Sequence, residues 1–288
     1  MRPRAWWQPW LMVAPTVVLL GLFFVLPVVA AIVQSFYAWD MLSPPVFVGG
    51  GNYQRLAASG ELAQIALTSL RYSAMVVTGA MILGLGLALL LDRPGRWAAA
   101  VRGSIFSAYV VSWVSVALLW TWLLDPDSGL VAGLARAVGL PRLGFLTEPG
   151  SALATLAAVT VWKITGYAMI LFLVGLQDIP PSLREAAALD GAGPWARFWY
   201  VTWPLLRPTA AFVATTSLIV SFQAFDVVRV MTQGGPVKAT TLFVYAIYEQ
   251  VFLDLRVGRA SALTVVFLAM LLALSGLQLW AFRSRRAA

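Results

Sequence analysis

The chain has 288 residues, of which 60% are hydrophobic and 11% charged, with a formal net charge of +8. No water-soluble domain of this size is so apolar, so the chain reads as an integral membrane protein with spans too long and too apolar for barrel strands. Cysteine and histidine are both absent, which excludes disulfides, iron–sulfur ligation, thiol nucleophiles and the commonest acid–base and metal-binding side chain.

In chain order, Met1 to Pro9 is short, with Arg2 and Arg4 followed by Trp6, Trp7 and Trp10, aromatics suited to a membrane interface. Six spans follow, over about 10–36, 66–91, 101–124, 151–176, 209–231 and 258–282, and the whole of 1–288 is read as a single transmembrane domain. The first apolar run is too long for the core of a cleaved signal peptide, and Pro15 and Pro27 are its candidate kink points. Gly79, Gly84 and Gly86 in the second span offer close helix packing. Asp92 to Arg96 is a tight turn. The loops 37–61, 125–150 and 232–257 lie on the other side, the second with a short helix expected near Leu130 to Val138.

Six spans place both termini on one side, and charge says which. The short segments on that side hold Arg2, Arg4, Arg93, Arg96, Arg102, Arg184, Arg197, Arg207, Arg283, Arg285 and Arg286. Basic groups on the opposite side are spread over longer loops that also hold Asp40, Glu61, Asp125, Asp127, Glu148, Glu249 and Asp254. Both termini and the 177–208 loop are therefore expected to be cytoplasmic. This pattern explains the net charge better than nucleic-acid binding, because no basic face is interleaved with stacking aromatics.

The 177–208 loop is the longest polar break in the second half. Ser182, with Glu185 three residues on, has the form of a capping box, which predicts a helix from Leu183 to about Asp190. Gly191 suits the left-handed position past a helix end, and Pro194 suits the first position of a second helix. Trp195, Phe198, Trp199 and Thr202 fall on one face of that helix, which Pro204 and Pro208 are expected to close.

Glu185-Ala186-Ala187, Gly191 and Val201-Thr202-Trp203-Pro204 resemble the "EAA" loop of binding-protein-dependent ABC importer permeases, with Val201 and Trp203 in place of two aliphatics. The run Glu185 to Ala192 resembles the sugar and glycerol-phosphate branch. So do Val161-Trp162-Lys163 with Gly166-Tyr167, and Phe222, Phe225-Asp226 and Met231 to Pro236. The resemblance covers about two-thirds of the chain, from the second span onward.

It implies an all-α permease of the maltose type, with six transmembrane helices and a cytoplasmic coupling helix, set in the inner membrane of a bacterium or archaeon. It implies ATPase coupling through Glu185, Ala186, Ala187, Asp190, Gly191, Ala192, Arg197, Phe198 and Pro204, and binding-protein docking at Gly234, Gly235 and Pro236. The implied partners are a homologous second permease, two ATPase subunits that hold ATP and Mg, and an extracytoplasmic substrate-binding protein, besides membrane lipid. No cofactor, metal or nucleic acid is expected on this chain itself.

Candidate substrate-path residues are Trp162, Lys163, Tyr167, Phe222, Gln223 and Asp226. Aromatic faces suit sugar C–H surfaces, and amides and phenols exchange hydrogen bonds with hydroxyls. Lys163 alone is ionisable near mid-span, so it faces water or pairs within the bundle. Asp226 and Arg229 pair with each other or meet ligand. No carboxylate pair, serine–base pair, metal cluster or GxxxxGK[ST] loop is present, so no catalytic role is expected. The rival reading is a stand-alone secondary transporter or channel, which would call for broken helices with several ionisable groups at mid-depth.

Overall fold

A computed structural model describes residues 8–139 and 144–283. Arg2, Arg4, Trp6, Trp7, Arg142, Arg285, Arg286 and the loop around Leu140 lie outside the described residues. The chain divides into two compact units, one of residues 1–63 with 246–271 and one of residues 64–245 with 272–288.

The first unit begins with the helical span Trp10–Gln34, none of which is buried, as an apolar helix bounded by lipid or another chain would be. A π-turn, Gly21–Val25, precedes Pro27 near the start of helix Leu26–Gln34. A wide turn leaves out one ladder bond, and so absorbs the donor that proline lacks. The loop after it is more ordered than expected. Tyr37–Ala38 pairs antiparallel with Val46–Phe47, and helix Gly51–Ala58 follows. The buried Asn52 amide donates to the carbonyls of Ser35 and Tyr37, at 2.8 and 2.9 Å. Also in this unit, Arg259 pairs with Glu61, which accepts a bond from Gln250 as well.

In the second unit, helix Glu61–Leu91 enters and packs on helix Pro149–Gln177. A Cβ on Gly84 would lie 2.7 Å from that of Ala168, and one on Gly79 would lie 2.7 Å from Val161, so both glycines permit close approach. Gly86 borders open space. The short helix expected near Leu130 is present at Leu130–Ala137.

Two spans depart from expectation. Residues 101–124 are not one helix but two, Arg96–Val110 and Trp113–Leu123, bent by 99° at their junction. The fifth span does not start at 209 or reach 231. One helical stretch runs Pro194–Phe222, and a separate helix Asp226–Met231 follows. Pro204 and Pro208 therefore do not close the second loop helix. The π-turn Phe198–Thr202, ended by the bond from Trp203 N–H to the Phe198 carbonyl, sits just before Pro204, so the helix continues through both prolines.

Candidate functional site

Two sets of residues stand out, one at the 177–208 loop and one at the bend after Val110. The loop helix is Pro181–Leu189, and it begins earlier than the capping box predicts. Ser182 lies inside the helix, not at its cap, and no side chain caps its start. Pro181 sets the boundary instead, because its fixed φ suits the first helical position and it has no N–H to leave unpaired.

The other end follows expectation. Gly191 has φ +79°, its N–H bonds the Ala188 carbonyl at 3.1 Å, and the Ala192 N–H bonds the Ala187 carbonyl at 2.9 Å. These are the paired bonds of a Schellman turn. Pro194 then opens the next helix.

No residue of helix Pro181–Leu189 is buried. Glu185, Ala186 and Asp190 are exposed, Ala187 and Ala192 half-buried, and Leu189 is 90% exposed. Beyond the turn, Trp195 is 76% exposed, Trp199 is largely open, and Arg197, Phe198 and Pro204 are half-buried. Phe198, Trp199 and Trp203 form an aromatic cluster, with the Phe198 and Trp199 rings 5.1 Å apart and tilted by 78°. The apolar face predicted for the second helix therefore exists: Thr202 is buried at one end, while Trp195 and Trp199 are left exposed by the described residues.

Sequence reasoning missed how this knob is held. The Arg184 guanidinium donates to the Leu176 carbonyl at 2.5 Å, and lies 3.6 Å from the Asp92 carboxylate. Leu176 is in the last turn of helix Pro149–Gln177, where its carbonyl otherwise accepts a turn bond from the Ile179 N–H at 3.3 Å. Asp92 follows directly on helix Glu61–Leu91. One side chain thus braces the loop helix against the ends of two spans. The available signal was an arginine on the loop helix facing an isolated acid in the short turn before Arg93.

The second set surrounds the bend. Helix Arg96–Val110 ends where Val111 turns to an extended conformation, so its last carbonyls lack helical donors and need others. Lys163, on the facing helix, supplies them. Its ammonium donates to the carbonyls of Ala108 and Tyr109, both at 3.1 Å, and to that of Val111. It also lies 4.8 Å from the centroid of the Trp113 ring. A cation at a helix C-terminus is favourable in itself. Lys163 is 1% exposed, so it does not line a water-filled path in this structure. Of the two alternatives, pairing within the bundle is the one observed.

Its neighbours serve the same junction. A Cβ on Gly166 would lie 2.6 Å from the Ile105 carbonyl oxygen, so only glycine lets the two backbones meet there. Tyr167 stacks on Tyr109 at 4.8 Å, and Trp162 meets Trp120 edge-on at 5.5 Å.

Phe222 is buried, Gln223 is exposed just past its helix, and Asp226 opens helix Asp226–Met231 with Arg229 in its last turn. At the remaining predicted site, Gly234 is buried under the Tyr245 ring, while Thr240 and Thr241 donate to the carbonyls of Gly235 and Gly234. The tip of that turn is Val237, 86% exposed, not the glycines. Among the described residues, no group of acids is placed to hold a metal ion.

The chain is similar to known proteins in sequence and in fold. Over 271 residues the chain is 34% identical to a probable ABC transporter permease protein of Pyrococcus horikoshii, a match covering 91% of each. It is 33% identical over 273 residues to the sn-glycerol-3-phosphate transport system permease protein UgpA of Salmonella typhimurium, covering 93% of this chain and 92% of that one. It is 30% identical over 277 residues to the sulfoquinovosyl glycerol transport system permease protein SmoG of Agrobacterium fabrum, covering 96% and 90%. The fold matches a chain of a bacterial ABC transporter involved in the import of the acidic polysaccharide alginate, with a TM-score of 0.84 at 22% identity, covering 97% of this chain and 96% of that one. It matches equally a chain of the alginate transporter solved in complex with an alginate pentasaccharide-bound periplasmic protein, again with a TM-score of 0.84. Residues 80–287 match the family described as the inner membrane component of binding-protein-dependent transport systems, and the chain belongs to that family of permeases.

Proposed function

We propose that this permease works as one subunit of an ATP-driven importer for a sugar or a related polar solute such as a glycerol phosphate. A homologous second permease, two ATPase subunits and an extracytoplasmic binding protein complete the assembly. ATP and Mg are held by the ATPases, and this chain performs no chemistry. Both termini and the 177–208 loop face the cytoplasm. The observation that carries the proposal is the loop helix Pro181–Leu189, which buries nothing of itself yet is rigidly terminated at Gly191 and braced by Arg184. An exposed, small-faced helix held this firmly suits a groove on a partner. Glu185 and Asp190 supply charged edges, and Ala186, Ala187 and Ala192 allow close approach. The relatives' named solutes, sn-glycerol 3-phosphate and sulfoquinovosyl glycerol, support the solute class.

The test is energy coupling in the reconstituted importer. Gly191→Val places a β-branched residue at φ +79° with open space around the new side chain, so its cost is backbone strain of about 1–2 kcal/mol or more. Glu185 bonds no cap in the structure, so Glu185→Lys changes the docking charge with little effect on the helix. Both variants are expected to insert and to lose uptake, with the ATPase dissociated or no longer stimulated by loaded binding protein. Full solute-stimulated ATP hydrolysis in both would overturn the proposal. Ion-driven transport by the purified chain alone would return the stand-alone transporter.

A further inference from the structure

The polar side chains of helix Glu61–Leu91 fall into two classes. On one side each has a protein partner. The Tyr72 hydroxyl bonds that of Thr160 at 2.6 Å, Ser73 accepts from Ser221 at 2.8 Å, and Ser69 accepts from the Phe243 N–H at 3.2 Å. On another side Gln64, Thr68 and Arg71, spaced i, i+4 and i+7, form one stripe. Among the described residues their side chains make no hydrogen bond or ion pair. All three line a groove of about 660 Å³ between this helix and the start of helix Pro149–Gln177, with Leu67, Met75 and Leu153 as apolar wall and Ala239 at the rim.

Arg71 is exposed about 15 Å from the start of this helix, inside its apolar run, where a guanidinium favours an anionic partner. The groove has the size of a small-ligand site, and it pairs apolar walls with a few convergent polar groups. We propose that this groove is a subsite for an anionic polyol, one that carries a phosphate, sulfonate or carboxylate. Arg71 receives the anion in a charge-assisted pair, Gln64 and Thr68 exchange hydrogen bonds with hydroxyls, and Leu67 and Met75 cover C–H faces. The subsite rests on the importer reading and narrows it, because a neutral sugar would leave Arg71 uncompensated.

The cysteine-free sequence permits a direct test. Thr68→Cys in the assembled importer is treated with methanethiosulfonate reagents bearing either a sulfonate or a trimethylammonium, and labelling of that peptide is followed by mass spectrometry. Arg71 should make the anionic reagent faster by about tenfold, and adding Arg71→Gln should bring the ratio near one. Excess sn-glycerol 3-phosphate or glucuronate should slow labelling, whereas glycerol and glucose should not. Equal rates for the two reagents, or no protection by either anion, overturn the proposal. Labelling of the isolated chain but not of the importer assigns the groove to the second permease, and labelling of neither assigns it to lipid; both overturn the proposal. Labelling requires no turnover, so failure of the importer reading is seen separately, as absent ATP-driven uptake by the same particles.

Discussion

Replacing Lys163 with Met removes the ammonium and keeps most of the apolar stem. The carbonyls of Ala108, Tyr109 and Val111 lose their donor, and the Trp113 ring loses its cation. A buried acceptor left unpaired costs about 1–3 kcal/mol, and a desolvated cation–π contact contributes up to about 2 kcal/mol. Opposing these losses, the variant no longer carries the desolvation cost of a buried ammonium, itself several kcal/mol. The groups left behind are neutral carbonyls rather than a stranded charge, so the net loss falls near the lower end of such substitutions, at about 2–4 kcal/mol. At about 2–4 °C per kcal/mol for a chain of this size, detergent-solubilised protein should melt on the order of 5–15 °C lower by circular dichroism. Lys163→Arg should recover only part of this, because a planar fork does not match three carbonyls converging on one point. An unchanged melting temperature with uptake lost would refute the capping role and restore Lys163 to the solute path.

Two further outcomes concern orientation and the brace. Single cysteines at Gly193 and Gln233 should differ in intact cells, with an impermeant maleimide labelling Gln233→Cys and not Gly193→Cys; the reverse pattern would invert the topology drawn from the arginine bias. Arg184→Gln removes a partly exposed ion pair, worth at most about 1 kcal/mol, and the bond to the Leu176 carbonyl, worth about 1 kcal/mol, so melting should fall by less than about 8 °C while solute-stimulated ATP hydrolysis falls severalfold. Normal coupling in that variant would show that the loop helix needs no such brace.

What the sequence made legible depended on how local the deciding interaction was. Gly191 and Pro194 were readable because a positive φ and a fixed φ are properties of single residues. Ser182 misled because the capping-box pattern competes with Pro180–Pro181, and the proline starts the helix one residue before the serine. Pro204 and Pro208 misled for a related reason, since the rule that proline ends a helix ignores a π-turn that removes the conflict upstream. The bend after Val110 left no local trace. The segment 101–124 carries no proline, and Ser112 at the junction does not cap by its side chain. Its stabilising donor lies on another helix, more than fifty residues away, and nothing in the spacing of Lys163 names its acceptors. Arg71 falls inside the second span whether that span starts at 66 or at Glu61, so its place on the helix was legible, whereas the groove it lines depends on helix Pro149–Gln177 and was not.

The two sets of site residues meet on one element. Helix Pro149–Gln177 holds the Arg184 acceptor at Leu176 in its last turn, and the Lys163–Tyr167 clamp about 20 Å earlier along its axis. Between them, a Cβ on Gly175 would lie 2.4 Å from the Thr209 hydroxyl, so the helix also abuts the stretch Pro194–Phe222 that begins in the coupling loop. A continuous helix packed this closely transmits a displacement with little loss, because close-packed interiors are stiff. A push on helix Pro181–Leu189 would therefore reach the junction at Val111–Ser112 through backbone contacts and three carbonyl bonds, not through a flexible loop. The donor that caps this helix end, and the Tyr167 ring that stacks on Tyr109, both belong to helix Pro149–Gln177, the element that Arg184 ties to the loop helix.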